Sequence, residues 1–254
     1  MTTVQRGGTR SGSAGRYWEM DALRGVAISM MLVYHTAFDL VFFCYYGGDV
    51  YAGGWRLLQL TTVWLFLLLV GISLTISYAR SYKADGHRPP YKRYLLRGPK
   101  LLGLGMVVAV AVLIYLGKPL VIFGILHLIG ASVILSYPLL WRRRASLVLG
   151  LAVIALGIYV GRQPVSFVWL LPLGLHPAEF LQLDWYPLLP WFGVVLLGSF
   201  AGQTLCPGGR RHFAPPDRGG YPVVRQLAWL GRHSLAIYLV HQPLLFGLAK
   251  IVAT

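Results

Sequence analysis

The chain has 254 residues, of which 56% are hydrophobic and only 12% charged, against about 25% charged in an ordinary soluble domain. With a mean hydropathy of +0.62, this composition excludes a soluble globular protein and points to one that crosses a bilayer several times. The net charge of +15 does not imply a nucleic-acid partner, because the Lys and Arg fall in blocks between apolar runs, which is how topology is encoded in membrane proteins.

Residues 1–15 are mostly Gly, Ser, Thr and Arg. They contain no apolar core and so no signal peptide, and are read as a disordered basic tail. Residues 16–254 are read as a single transmembrane domain. Seven apolar runs in it approach the roughly 20 residues needed to span, near 21–43, 55–79, 99–117, 119–140, 145–161, 185–204 and 226–250. Gly117-Lys118-Pro119 makes the third and fourth an antiparallel hairpin. The predicted fold class is therefore all-α, a polytopic transmembrane helix bundle of about seven spans.

Orientation follows from the basic residues. With the N-terminus inside, the cytoplasmic segments hold seventeen Lys and Arg and the outer segments four, so the N-terminus is predicted cytoplasmic and the C-terminus outside. Two cysteines, Cys44 and Cys206, then lie at opposite faces, too far apart for a disulfide. The outer stretch 163–184 is aromatic and broken by Pro172 and Pro177, which suits a re-entrant or interfacial segment. Glycines within the spans, such as Gly71, Gly130 and Gly198, are read as close helix contacts.

The first run, RYWEMDALRGVAISMMLVYHTAFDLVFFCYY (16–46), carries Asp21, Arg24, His35 and Asp39. Ionisable groups at that depth are costly, so function is the default explanation. On an α-helix Arg24 and His35 lie about 20° apart on one face and about 16 Å apart along the axis. Asp39 follows His35 by one turn. Helix four carries His127 in mid-span, and helix six opens with DWYPLLPWFG, where Asp184, Trp185 and Tyr186 are read as outer-interface residues. In the last run Ser234, Tyr238 and His241 share one face, with His241 at the depth of His35. This layout sets an inner cation suited to a phosphate against a deeper imidazole suited to general-base work. A proton or substrate pathway in a small transporter or flippase would use the same residue types.

ALRGVAISMMLVYHTAFDL resembles the first helix of the bacterial DUF1624 branch of the heparan-alpha-glucosaminide N-acetyltransferase catalytic-domain family. FGILHLIGASVIL, DWYPLLPWFGVVLLG and LGRHSLAIYLVHQPL are similar to its later blocks, in order, over most of 17–250. The Arg, ten residues, His spacing of Arg24 and His35 is also similar to that of the related acyltransferase-3 proteins. The pattern from Gly231 to His241 resembles the last helix of the heparan enzyme. The animal enzyme has more spans and a lumenal portion, and its catalytic histidine follows the first helix, so the heparan substrate is not carried over.

The resemblance implies a transmembrane acyltransferase that moves an acetyl group from cytoplasmic acetyl-CoA to a glycan or amino sugar outside, in what is expected to be a bacterial inner membrane. His35 is the expected base, and Asp39 is expected to orient its ring. Arg24, His127, Ser234, Tyr238 and His241 are expected to hold the coenzyme A thioester. No metal is expected. The expected partners are the bilayer, the thioester and the outer glycan, with a homodimer left open.

Overall fold

The computed structural model describes residues 17–42, 47–119, 121–163, 165, 168–177, 184–210, 212 and 219–252. The basic tail and Cys44 lie outside the described residues. Among those residues there are helices and no strands: α1 Trp18–Phe42, α2 Gly53–Asp85, α3 Lys92–Leu116, α4 Ile125–Leu135, α5 Arg143–Val160, α6 Leu188–Leu205, α7 Pro222–Arg232 and α8 Ser234–Val252. Short 3-10 turns at Tyr137–Leu139, Val168–Leu173 and Pro207–Gly209 join them.

Five of these helices, α1, α2, α3, α5 and α6, are long and apolar enough to cross a bilayer, and the chain is an integral membrane protein. Local signals set their ends. Glu19 and Asp21 lie in the first turn of α1, where carboxylates complement the helix dipole. Gly86 and Gly117 close α2 and α3 at positive φ (72° and 68°), donating their N–H to the carbonyls of Tyr82 and Leu113; this left-handed cap is a glycine position.

Two of the predicted spans are not single α-helices. The described part of the run 119–140 holds α4, 11 residues or about 16 Å, and the 3-10 turn Tyr137–Leu139, so no single α-helix fills it. Gly124 before it is extended (φ −82°, ψ −178°), and Pro119 cannot supply a helical N–H, so the first part of the run does not coil. The run 226–250 is broken at His233 into α7 and α8. The hydropathy of an averaged window conceals both breaks. α2 and α3 also extend past their predicted limits into the basic segment between them, since straight-chain Lys and Arg are good helix formers.

Close backbone contacts decide the neighbours. A Cβ on Gly71 would overlap the backbone of Val195, and one on Gly198 the backbone of Leu68, which locks α2 to α6. Gly98 and Gly130 do the same for α3 and α4, and Gly150 and Gly193 for α5 and α6. Gly103, by contrast, faces open space. The core is filled by Leu67, Leu74 and Tyr78 of α2, Leu128 and Val133 of α4, and Val194 and Val195 of α6. α5 buries only Ser146, Gly150 and Gly157, and its apolar residues Val148, Leu151 and Ile158 are exposed, as a lipid-facing helix requires.

α1 sits at one side, against α2, α7 and α8. α7 crosses its first half so closely that a Cβ on Gly25 would overlap the carbonyl of Leu227, and one on Gly231 the carbonyl of Asp21. The result is that α1 shows its Arg24 end to α2 and its His35 end to α8.

Candidate functional site

At the first end, α1, α2 and the start of α3 enclose a cleft of about 350 Å³. Arg24 donates from Nη1 to Asp21 Oδ1 at 3.3 Å and from Nη2 to the hydroxyl of Ser73. The Ser73 hydroxyl donates in turn to the Leu69 carbonyl at 2.6 Å, so its lone pairs are aimed at the guanidinium. Arg93 donates to the Ser81 hydroxyl at 2.7 Å, and the Arg80 guanidinium lies 4.5 Å over the ring of Tyr17. Arg24, Arg80, Arg93, Ser73, Ser77 and Ser81 thus line one space. Three guanidinium groups and three hydroxyls, with Asp21 as counter-charge, form a cradle for a phosphate-bearing ligand.

Sequence reasoning found Arg24 but read Arg80 and Arg93 only as topology signals, and passed over the serines. A signal was present: positions 73, 77 and 81 recur at i, i+4 and i+8, one face of α2.

At the other end, the rings of His35 and His241 meet edge to face with centroids 4.9 Å apart, so α1 and α8 do bring the two histidines to one depth. His35 Nδ1 lies 2.9 Å from the Met31 carbonyl. A carbonyl only accepts, so Nδ1 carries the proton and the neutral ring keeps a lone pair on Nε2. His241 repeats the arrangement with Nδ1 2.6 Å from the Tyr238 carbonyl, and its buried Nε2 has no hydrogen-bond partner. Both rings are therefore in the tautomer that can take a proton.

The expected role of Asp39 is corrected here. Its carboxylate is buried, and neither oxygen has a hydrogen-bond partner. The Cα–Cβ bonds of a helix tilt toward its N-terminus, so His35 leans back to Met31, and the ring is oriented by backbone instead of by Asp39.

The remaining predicted residues divide. Tyr238 packs beside His241, ring centroids 5.6 Å apart, and its hydroxyl donates to Asp184 Oδ2 at 3.3 Å. Asp184 also accepts the Ile125 N–H at 3.3 Å, at the start of α4, where a carboxylate satisfies an orphan donor and meets the positive end of the dipole. Asp184 thus ties the start of α4 to α8 and fixes the turn that presents His241. Sequence reasoning placed it in an interface belt, since a residue outside a helix has no periodicity to reveal its partner.

His127 adopts the other tautomer: the Gly124 N–H donates to Nδ1 at 3.3 Å, which leaves the proton on a buried, unpartnered Nε2. It packs against Phe123 and beneath Gly105 of α3. Ser234 opens α8, about 10 Å along the helix from His241. The five residues expected to hold the donor thus do not form one site: Arg24 lines the cleft, and none of His127, Ser234, Tyr238 or His241 does. Among the described residues no group of His, Cys, Asp and Glu has the arrangement of a metal site.

The family model described as "Heparan-alpha-glucosaminide N-acetyltransferase, catalytic" matches residues 16–243, a stretch that includes both ends of α1 and the His35–His241 pair. No curated protein and no solved structure matches the chain.

Proposed function

Because the chain belongs to the heparan-alpha-glucosaminide N-acetyltransferase catalytic family, we propose that it transfers an acetyl group from cytoplasmic acetyl-CoA to an amino or hydroxyl group of a glycan on the far side of a bacterial inner membrane. The observation that carries this reading is α1 itself: one helix has an arginine–serine cleft at one end and a lone pair on His35 Nε2 about 16 Å further along the same face.

In this reading Arg24, Arg80 and Arg93 take the phosphates of the donor, and its long pantetheine arm runs along α1 toward His35. His35 Nε2 accepts the proton of the acceptor N–H or O–H as that nitrogen or oxygen bonds to the thioester carbonyl carbon. The C–S bond breaks, its electron pair goes to sulfur, and the imidazolium returns the proton to the thiolate. His241 packs the ring edge-on and holds it in place. The buried atoms with no partner here are the Asp39 oxygens, His241 Nε2 and Gln242 Oε1. All are acceptors, so a ligand bringing N–H or O–H donors suits them.

The test is transfer from labelled acetyl-CoA by purified protein in liposomes, with amino sugars and neutral glycans supplied only outside. Label on the outer acceptor supports the reading. Passage of acceptor or protons with no acetylation would replace it with a transport function. The orientation is tested separately by cysteine labelling in intact cells, where Cys44 and Cys206 should react from opposite sides.

A further inference from the structure

α2 separates the arginine–serine cleft from a second, larger one of about 530 Å³ between α2, the start of α5 and the end of α6. The two share no lining residue: α2 gives Ser73, Ser77 and Ser81 to the first and Tyr78, Tyr82 and Lys83 to the second, from opposite faces. Lys83, Arg143 and Arg210 come to the second cleft from three separate elements, and among the described residues no acid lines it. Its wall is aromatic. Tyr78 and Trp141 line it and stack on each other with centroids 5.6 Å apart; Arg88 and Arg142, which do not line the cleft, pack over that indole ring at 4.5 and 5.9 Å.

The start of α5 adds a second feature. It begins at Arg143 with no side-chain cap and no acid in its first turn, so the positive end of an 18-residue helix meets the cleft with no carboxylate among the described lining residues to neutralise it. Cations on a convergent geometry, an uncapped helix start and a flat aromatic wall are the elements of a phosphate site. Lys83 and Arg143 stand where two apolar helices leave their apolar runs, the level of the lipid headgroups, and Tyr and Trp favour that same layer.

We propose that this cleft binds a phosphate group, supplied by the headgroup of an acidic phospholipid, at a site separate from the arginine–serine cleft. A basic cluster that only sets topology has interchangeable members, because the membrane potential and the insertion machinery read charge and not shape. A cleft does not. Arg144 has the same charge as its neighbour Arg143 and the same exposure to solvent, but does not line the cleft.

The experiment counts phosphatidylglycerol molecules retained by the protein on extraction from phosphatidylglycerol–phosphatidylcholine nanodiscs, by native mass spectrometry, for wild type, Lys83→Gln, Arg143→Gln and Arg144→Gln. Coenzyme A affinity is measured on the same samples. Phosphatidylglycerol retention should fall about fivefold in Lys83→Gln and Arg143→Gln, stay at the wild-type level in Arg144→Gln, and leave coenzyme A affinity unchanged throughout. Loss of coenzyme A affinity with lipid retention intact would overturn the lipid assignment and give the cleft to a soluble phosphate. Equal effects in all three variants, or none in any, would overturn the site. Size-exclusion profiles report folding, and because Lys83 and Arg143 lie on different helices, either variant carries the test if the other fails to fold. Failure here leaves the donor reading standing, since that rests on Arg24.

Discussion

The two ends of α1 solve the problem of polar groups in a membrane helix in opposite ways. At the Arg24 end the groups satisfy one another: Arg24 bonds Asp21 and Ser73, and Arg93 bonds Ser81. At the His35 end the buried Asp39 carboxylate, His241 Nε2 and Gln242 Oε1 are left without partners. A buried polar atom without a hydrogen bond costs about 1–3 kcal/mol, and selection for stability alone would remove it. The first end is therefore organised to hold something by charge and shape. The second keeps an unmet demand for donors, which a reacting ligand can satisfy.

The sharpest way to break this comparison is at the base. His35→Ala should lower acetyl transfer about 10²- to 10⁴-fold while coenzyme A still binds, read as kcat against the coenzyme A Kd. If His241→Ala costs more than His35→Ala, the two histidines exchange roles. At the other end Arg24→Ala should weaken coenzyme A about tenfold or more, the worth of a hydrogen bond to a charged group, with kcat at saturating donor much less affected. Calorimetry in detergent measures it, and an unchanged Kd would return Arg24 to a topological role.

Smaller effects sharpen the packing side. Gly25→Ala pushes a methyl into the Leu227 backbone and should cost about 1–3 kcal/mol, seen as a lower Tm. Gly103→Ala, with nothing near it, should stay within about 0.5 kcal/mol. Equal losses would mean that α7 does not press on α1. The smallest effect is expected from Asp39→Asn. Removing a buried carboxylate that has no partner should leave Tm equal or higher, while KM for the acceptor rises and kcat changes less than threefold, within the range of a residue that takes no part in proton transfer. A large fall in kcat would show that Asp39 acts on the His35 ring after all.

Much of the fold was legible because a bilayer imposes a simple rule: backbone polar groups must be satisfied within each segment, so a long apolar run becomes a helix. That rule found α1, α2, α3, α5 and α6 to within a few residues at most of their ends. It missed the breaks in 119–140 and in 226–250, because an averaged apolar run does not show where the backbone leaves the helix. α4 is short because Gly124 and Asp184 start it late, and α7 is separate because α1 holds it crosswise at Gly25 and Gly231.

The candidate site divides along the same line. Helical periodicity alone determined that Arg24 and His35 share a face and that Tyr238 and His241 share another, because positions on one helix are related by fixed angles. Which residues complete each end was decided by packing between helices. Ser73 and Ser81 meet Arg24 in one cleft only because α2 lies beside α1, and Arg93 joins them from the start of α3 by donating to Ser81. His241 reaches His35 only because α8 resumes after the break at His233. The orienting partner of His35 depended on which way its side chain leans, and the structure gave that role to the Met31 carbonyl, a backbone atom that no reading of side-chain identities could single out.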